Sequence, residues 1–262
     1  MATIANPRPA TTSSDVRFFF ISAIVMALVL VAGFSIQLAF GRSSFAAPLY
    51  IHVHAFLFFG WTVLYVVQSW LAGTEASVAV HRKLGWLALG WMPAMVFMGC
   101  YITIAMVRRG SVPFFFMPAY FLIMDVVGVL SFAGLATAAI VMRRRTQWHR
   151  RLMFCAMTML LGPGFGRILP MPFLIPWAGE AVFVPMILFP LAGIIRDLRR
   201  SGRVHPAWWW GAGAIIATQT AVSILPHTPA GPAVYALVTS GSPGGAVAPL
   251  AYPPFPGAPP AP

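Results

Sequence analysis

Only five acids and six histidines stand among 262 residues, 8% of them charged, so the groups able to do chemistry are few. Two of the histidines share a phrase, His81-Arg82-Lys83-Leu84-Gly85 and His149-Arg150-Arg151-Leu152-Met153, 68 residues apart. Basic residues at the start of a membrane helix are generic, whereas a histidine there is not required. His81 and His149 are thereby expected at equal depth on neighbouring helix ends, where two neutral imidazoles make a candidate cofactor site. The bland alternative sets both rings at headgroup level, bonded to loop carbonyls or lipid phosphates.

A second constellation lies inside the apolar runs, where an ionisable group costs about 2.5–3.5 kcal/mol on insertion scales. His54, Phe58, Trp61, Tyr65 and Gln68 follow one another at spacings of 4, 3, 4 and 3. On a helix they form one stripe, roughly 80° wide, which is expected to face the bundle interior. The stripe reads either as a proton or quinone site around His54 or as hydrogen-bonding glue between helices. His52 lies about 160° from His54 on the same wheel and is expected to snorkel at the interface. Asp125 falls near mid-membrane, where a carboxyl is expected to be protonated or bonded to a hydroxyl or water, with Gly128 beside it for close helix approach. Arg167 and Glu180 share the depth of His54 and make the natural charge pair, structural or functional.

The elements that hold these groups follow from composition. Hydrophobic residues make up 59% of the chain, and a soluble domain carries roughly 25% charged residues. A soluble globular enzyme is thereby excluded, and an all-α polytopic membrane bundle remains. Seven apolar runs are predicted as spans: 16–40, 49–73, 83–107, 113–142, 152–170, 176–195 and 207–225. Gly162-Pro163-Gly164-Phe165-Gly166 is expected to break the fifth, which neighbours or a polar cavity must then satisfy. With seven spans, 13 of the 17 Lys and Arg residues fall on the N-terminal side and 4 on the other. The positive-inside rule then gives a cytoplasmic N-terminus and an external C-terminus in the bacterial inner membrane.

Three regions result: a cytoplasmic segment 1–15, a transmembrane domain 16–225 and a Pro/Gly-rich extramembrane tail 226–262, expected to be unstructured. Trp208, Trp209 and Trp210 read as an interfacial aromatic anchor. Cys100 and Cys155 fall at opposite depths, which precludes a disulfide. The basic clusters lie between apolar runs as membrane loops do, so the lipid bilayer is the expected partner and nucleic acid is not.

The string His52-Val53-His54-Ala55, with Gln68 and then His81-Arg82-Lys83-Leu84-Gly85, resembles a group of bacterial polytopic membrane proteins that carry an H…Q…HR-x-LG hairpin. Over residues 49–170 it is also similar to cytochrome b561-type four-helix cores, in which histidines of four successive helices hold two b haems. Here the fourth span offers Asp125 and no histidine, so the resemblance implies one bis-histidine site at most, His81 with His149. Three functional classes follow. One is a redox component that holds haem b or handles a quinone. The others are an accessory subunit of a larger membrane complex, and a transporter or receptor with a pocket around His54, Asp125, Arg167 and Glu180. The only lysine, Lys83, stands at a helix start, so a retinal Schiff base inside a span is excluded.

Overall fold

The computed structural model describes residues 13–73 and 75–255, which form helices and turns and no strand. Arg8 and most of the 1–15 segment, and residues 256–262 of the tail, lie outside the described residues. The helices are α1 (Ser13–Ala39), α2 (Leu49–Leu71), α3 (Glu75–Gly85), α4 (Leu87–Arg109), α5 (Pro118–Val141), α6 (Thr146–Met159), α7 (Gly162–Ile168), α8 (Ala178–Ser201), α9 (Pro206–Ile224) and α10 (Ala230–Thr239). Five stretches among the described residues are long and apolar enough to cross a membrane: α1, α2, α3–α4 taken together, α5 and α8. This is the architecture of a multi-pass membrane protein.

Helices also stand at the other two places where spans are predicted, in altered form. The fifth run breaks at Leu160 and Leu161 into α6 and α7, with Pro163 in the first turn of the second piece. The seventh, α9, has 19 residues and opens on Pro206, whose missing N–H costs nothing at a helix start. Gly110 and Gly202 end α4 and α8 in the left-handed conformation that glycine adopts freely.

Lipid offers no hydrophobic drive to hold helices together, so close packing and polar contacts must do it. Met26, Met95, Phe132, Phe154, Met157 and Trp208 are fully buried, while Leu28, Val63, Phe97 and Leu188 point outward. One close crossing sets α1 on α7, where Gly33 meets the backbone of Gly164 and a Cβ would not fit. Gly128 has nothing within reach of a Cβ, so the close approach expected there does not occur. Side-chain direction around the helix decides this, and Gly128 turns away from its neighbours.

Successive helices run back and forth between two ends. The basic end gathers the start of α1, the α5–α6 junction and the α8–α9 turn. The tail end gathers the α4–α5 connection, residues 169–177 and everything after α9. There the expectation of an unstructured tail fails over residues 226–255. Tyr235 of α10 is buried and donates its hydroxyl to the Gly244 carbonyl at 3.0 Å, and the Ala119 N–H donates to the Pro249 carbonyl at 2.9 Å. The Arg108 guanidinium donates to the carbonyls of Val238, at 2.6 Å, and Ser240, at 3.2 Å. Gly231 and Gly244 let the segment lie against Pro226 and Val107 more closely than a Cβ permits. Small residues that look like disorder in composition serve here as contact surface.

Candidate functional site

The α2–α3 turn brings His81 back beside Gln68. The Gln68 amide donates to the His81 carbonyl at 3.1 Å, and the His81 Nδ1 lies 3.2 Å from the Gln68 carbonyl. Across the α5–α6 junction, the His149 Nδ1 lies 2.8 Å from the Ala139 carbonyl. A ring nitrogen facing a carbonyl must carry the proton, so Nδ1–H is fixed on both rings and Nε2 is the free lone pair. The two rings then meet: their centres are 6.2 Å apart and their planes stand at 87°. Sequence reasoning singled out both residues, and the structure brings them together.

The α2 stripe faces the interior. Trp61 and Tyr65 are buried, and Trp61 packs edge-on against Phe132 of α5 with ring centres 5.3 Å apart. His54 stacks on Phe58 at 4.3 Å. The His54 Nδ1, Trp61 Nε1 and Gln68 Oε1 are buried without a hydrogen-bond partner among the described residues. Each such atom forfeits its hydration without return, which marks a site kept polar for a use. Asp125 is bonded to a hydroxyl as expected: Thr103 of α4 donates to its Oδ2 at 3.3 Å.

The pairing of Arg167 with Glu180 is not formed. The Arg167 guanidinium sits 4.0 Å over the Phe34 ring and donates to the Pro163 carbonyl at 2.9 Å, while its own carbonyl accepts from Gln37 at 3.0 Å. Shared depth placed Arg167 and Glu180 in one layer, but the break before α7 turns the arginine toward α1. Glu180 instead accepts from Ser223 of α9 at 2.9 Å. The partners of His54, Asp125, Arg167 and Glu180 are thus all different: Phe58, Thr103, Phe34 and Ser223.

Two polar groupings at the basic end were not anticipated. Asp15 accepts from Arg150 at 2.8 Å, Arg196 at 2.7 Å and Arg200 at 3.0 Å. Arg151 makes a forked pair with Asp197, Nη2 donating to Oδ1 at 2.8 Å and Nε to Oδ2 at 3.1 Å, and the Trp208 indole N–H donates to the same carboxylate at 3.0 Å. Trp208 is therefore a buried partner of Asp197, and only Trp209 and Trp210 face outward. The available signal was an acid amid arginine-rich loops at each of these positions.

The histidine pair has two protein donors, and among the described residues no group of three or more His, Cys, Asp or Glu side chains could hold a metal ion. Cys100 and Cys155 are free thiols. No protein-family model, curated protein or solved structure matches the chain.

Proposed function

We propose that the chain is a seven-span redox component of the bacterial inner membrane, in which His81 and His149 would hold one b-type haem. One observation carries this: two imidazoles from different helices, each held at Nδ1 by a backbone carbonyl, with ring centres 6.2 Å apart. A haem held here would take one ring nitrogen from each histidine, the two atoms that the carbonyl contacts leave without a proton. A bare ion held by two residues would lack most of its ligands, whereas a porphyrin brings four of its own. When bound, such a haem supplies one-electron exchange between iron(III) and iron(II), with a quinol as the membrane-soluble class of donor.

The remaining steps belong to this chain. Gln68 holds the α2–α3 turn shut, which sets the direction of the His81 ring, and Ala139 does the same for His149. His54 stands apart, about 21 Å along α2 from Gln68, where an unbonded imidazole nitrogen can take up or release a proton. The 13-to-4 division of basic residues supports an orientation with the histidine pair on the cytoplasmic side.

The test is the visible spectrum of the detergent-solubilised protein, oxidised and then reduced with dithionite, after expression with haem precursor. A Soret band that sharpens on reduction is expected. His81→Ala and His149→Ala should each abolish it, and His52→Ala should not. A protein without haem absorbance, or bands that survive both substitutions, overturns the proposal.

A further inference from the structure

We infer that the cleft at the tail end, between α5, α8, α9 and the segment after α10, binds an organic ammonium group. The cleft has a volume of about 310 Å³, at the small end of the range for ligand sites. Its walls are aromatic: Phe116 and Tyr120 stack at 5.8 Å, and Trp177 and Tyr252 line the same space. Glu180 lies among them. Its Oε1 accepts from Ser223, and none of the ion pairs among the described residues includes it. A carboxylate beside aromatic walls at the end of a membrane bundle, with His227 in the same lining but no ion pair formed to it, leaves an interaction open to a cation from elsewhere.

A second, independent feature points into the same cleft. Tyr120 is 7% exposed, and its hydroxyl has no hydrogen-bond partner among the described residues. Gln219 is the polar side chain that approaches this hydroxyl, without closing to 3.5 Å, and its amide donates to Ser223 at 3.2 Å. Gly179 makes the room, since a Cβ there would collide with the Tyr120 hydroxyl. A buried phenol left open in this way has an acceptor to offer to an N–H or polarised C–H donor.

The chemistry of the walls selects the class of cation. A metal ion such as calcium takes six or more oxygen ligands, and the lining offers one carboxylate. Aromatic faces around a single carboxylate suit an alkylated ammonium, whose charge is spread over methyl or methylene groups and is attracted by ring quadrupoles. An ammonium could come from a lipid headgroup, because the cleft opens at the end of membrane-length helices, or from a free amine in solution.

The experiment uses the full chain in lipid-free maltoside detergent and isothermal titration with choline and with its neutral carbon isostere, 3,3-dimethylbutan-1-ol. Choline is expected to bind saturably and at least tenfold tighter than the isostere. Glu180→Gln and, separately, Trp177→Ala should each weaken choline tenfold or more. Trp177 is 68% exposed, so its loss leaves the fold intact even where the glutamate variant proves unstable. Choline bound no tighter than the isostere, no binding of either, or undiminished affinity in Trp177→Ala overturns the inference. Nanodiscs separate the two sources. Choline binding lost in phosphocholine discs and kept in phosphoglycerol discs identifies a lipid headgroup as occupant, and binding kept in both identifies a free amine.

Discussion

At the basic end, three arginines converge on Asp15, and Asp197 takes a forked arginine together with an indole N–H. At the tail end, among the described residues, Glu180 has one hydroxyl donor and no paired cation, the Tyr120 hydroxyl has no hydrogen bond within 3.5 Å, and both line one cleft. The two ends are built from the same chain and border the same bilayer. What differs is how completely each acid is neutralised. A carboxylate surrounded by guanidinium and indole donors is finished as a structural unit, because any further ligand would have to displace one of them. A carboxylate bordered by aromatic faces, with only a hydroxyl bonded to it, leaves an interaction to be made. Function in this protein is therefore sought where satisfaction is incomplete: at the tail-end cleft, at His54, and at the His81–His149 ring pair.

The sharpest way to break that contrast is to compare stability losses at the two ends. Asp197→Ala leaves the Arg151 guanidinium, 5% exposed, without its counter-charge. Removing one partner of a buried pair costs about 3–5 kcal/mol. Thermal unfolding in detergent, followed by exposure of the buried Cys155 thiol, should show a large drop. Arg151→Met combined with Asp197→Leu should recover most of it. Glu180→Gln should leave the midpoint nearly unchanged, since a glutamine can still accept from Ser223. If the two single variants cost the same, the distinction between a finished end and an open end is wrong.

A second lesion asks whether the tail is part of the fold. Gly244→Ala drives a Cβ into the Val107 carbonyl, and overpacking of this kind costs typically 1–3 kcal/mol. The segment after α9 should then loosen, and cleavage by a broad-specificity protease beyond Leu225 should speed up in detergent. Equal cleavage rates in the variant and the parent protein would mean that the 226–255 segment is as loose as its proline and glycine content suggests.

Much of this arrangement was legible as hydrophobic runs: helices stand wherever a span was expected, and the Gly162–Gly166 phrase does coincide with a broken one. Depth was legible too, since rise per residue is fixed, and it put His81 level with His149. Rotation about each helix axis was not. Three consecutive tryptophans cannot all face one way, and Trp208 is the one turned inward because Gly193 leaves a hollow for its ring and Asp197 a bond for its N–H. Arg167 was read at the right depth and paired wrongly, because the break before α7 reset its direction. The tail was misjudged for a different reason. Its contacts run through Gly231, Gly244 and backbone carbonyls, which leave no periodic pattern in the sequence.

The smallest effect sharpens the picture of the basic end as a finished unit. His205 precedes α9, and its Nδ1 accepts the Ala207 N–H at 3.2 Å, so the ring caps the helix only while that nitrogen is unprotonated. Burial, then the positive charge of Arg151 and of Arg150, holds the imidazole below its ordinary value of 6.5, against the opposing pull of Asp197. The sign follows from which state binds the proton first. With its folded value depressed, the unfolded chain takes up the proton earlier as pH falls. The contribution of His205 is thus fully present above pH 6.5 and is lost as the pH drops through that value toward the folded one. His205→Asn keeps a side-chain oxygen for the cap and removes the titration. Between pH 7.5 and pH 5.5 the parent protein should lose more of its melting temperature than the variant, and the two should agree closely at the upper pH. Parallel losses in both proteins would show that the cap survives protonation and that the basic end has more slack than its ion pairs imply.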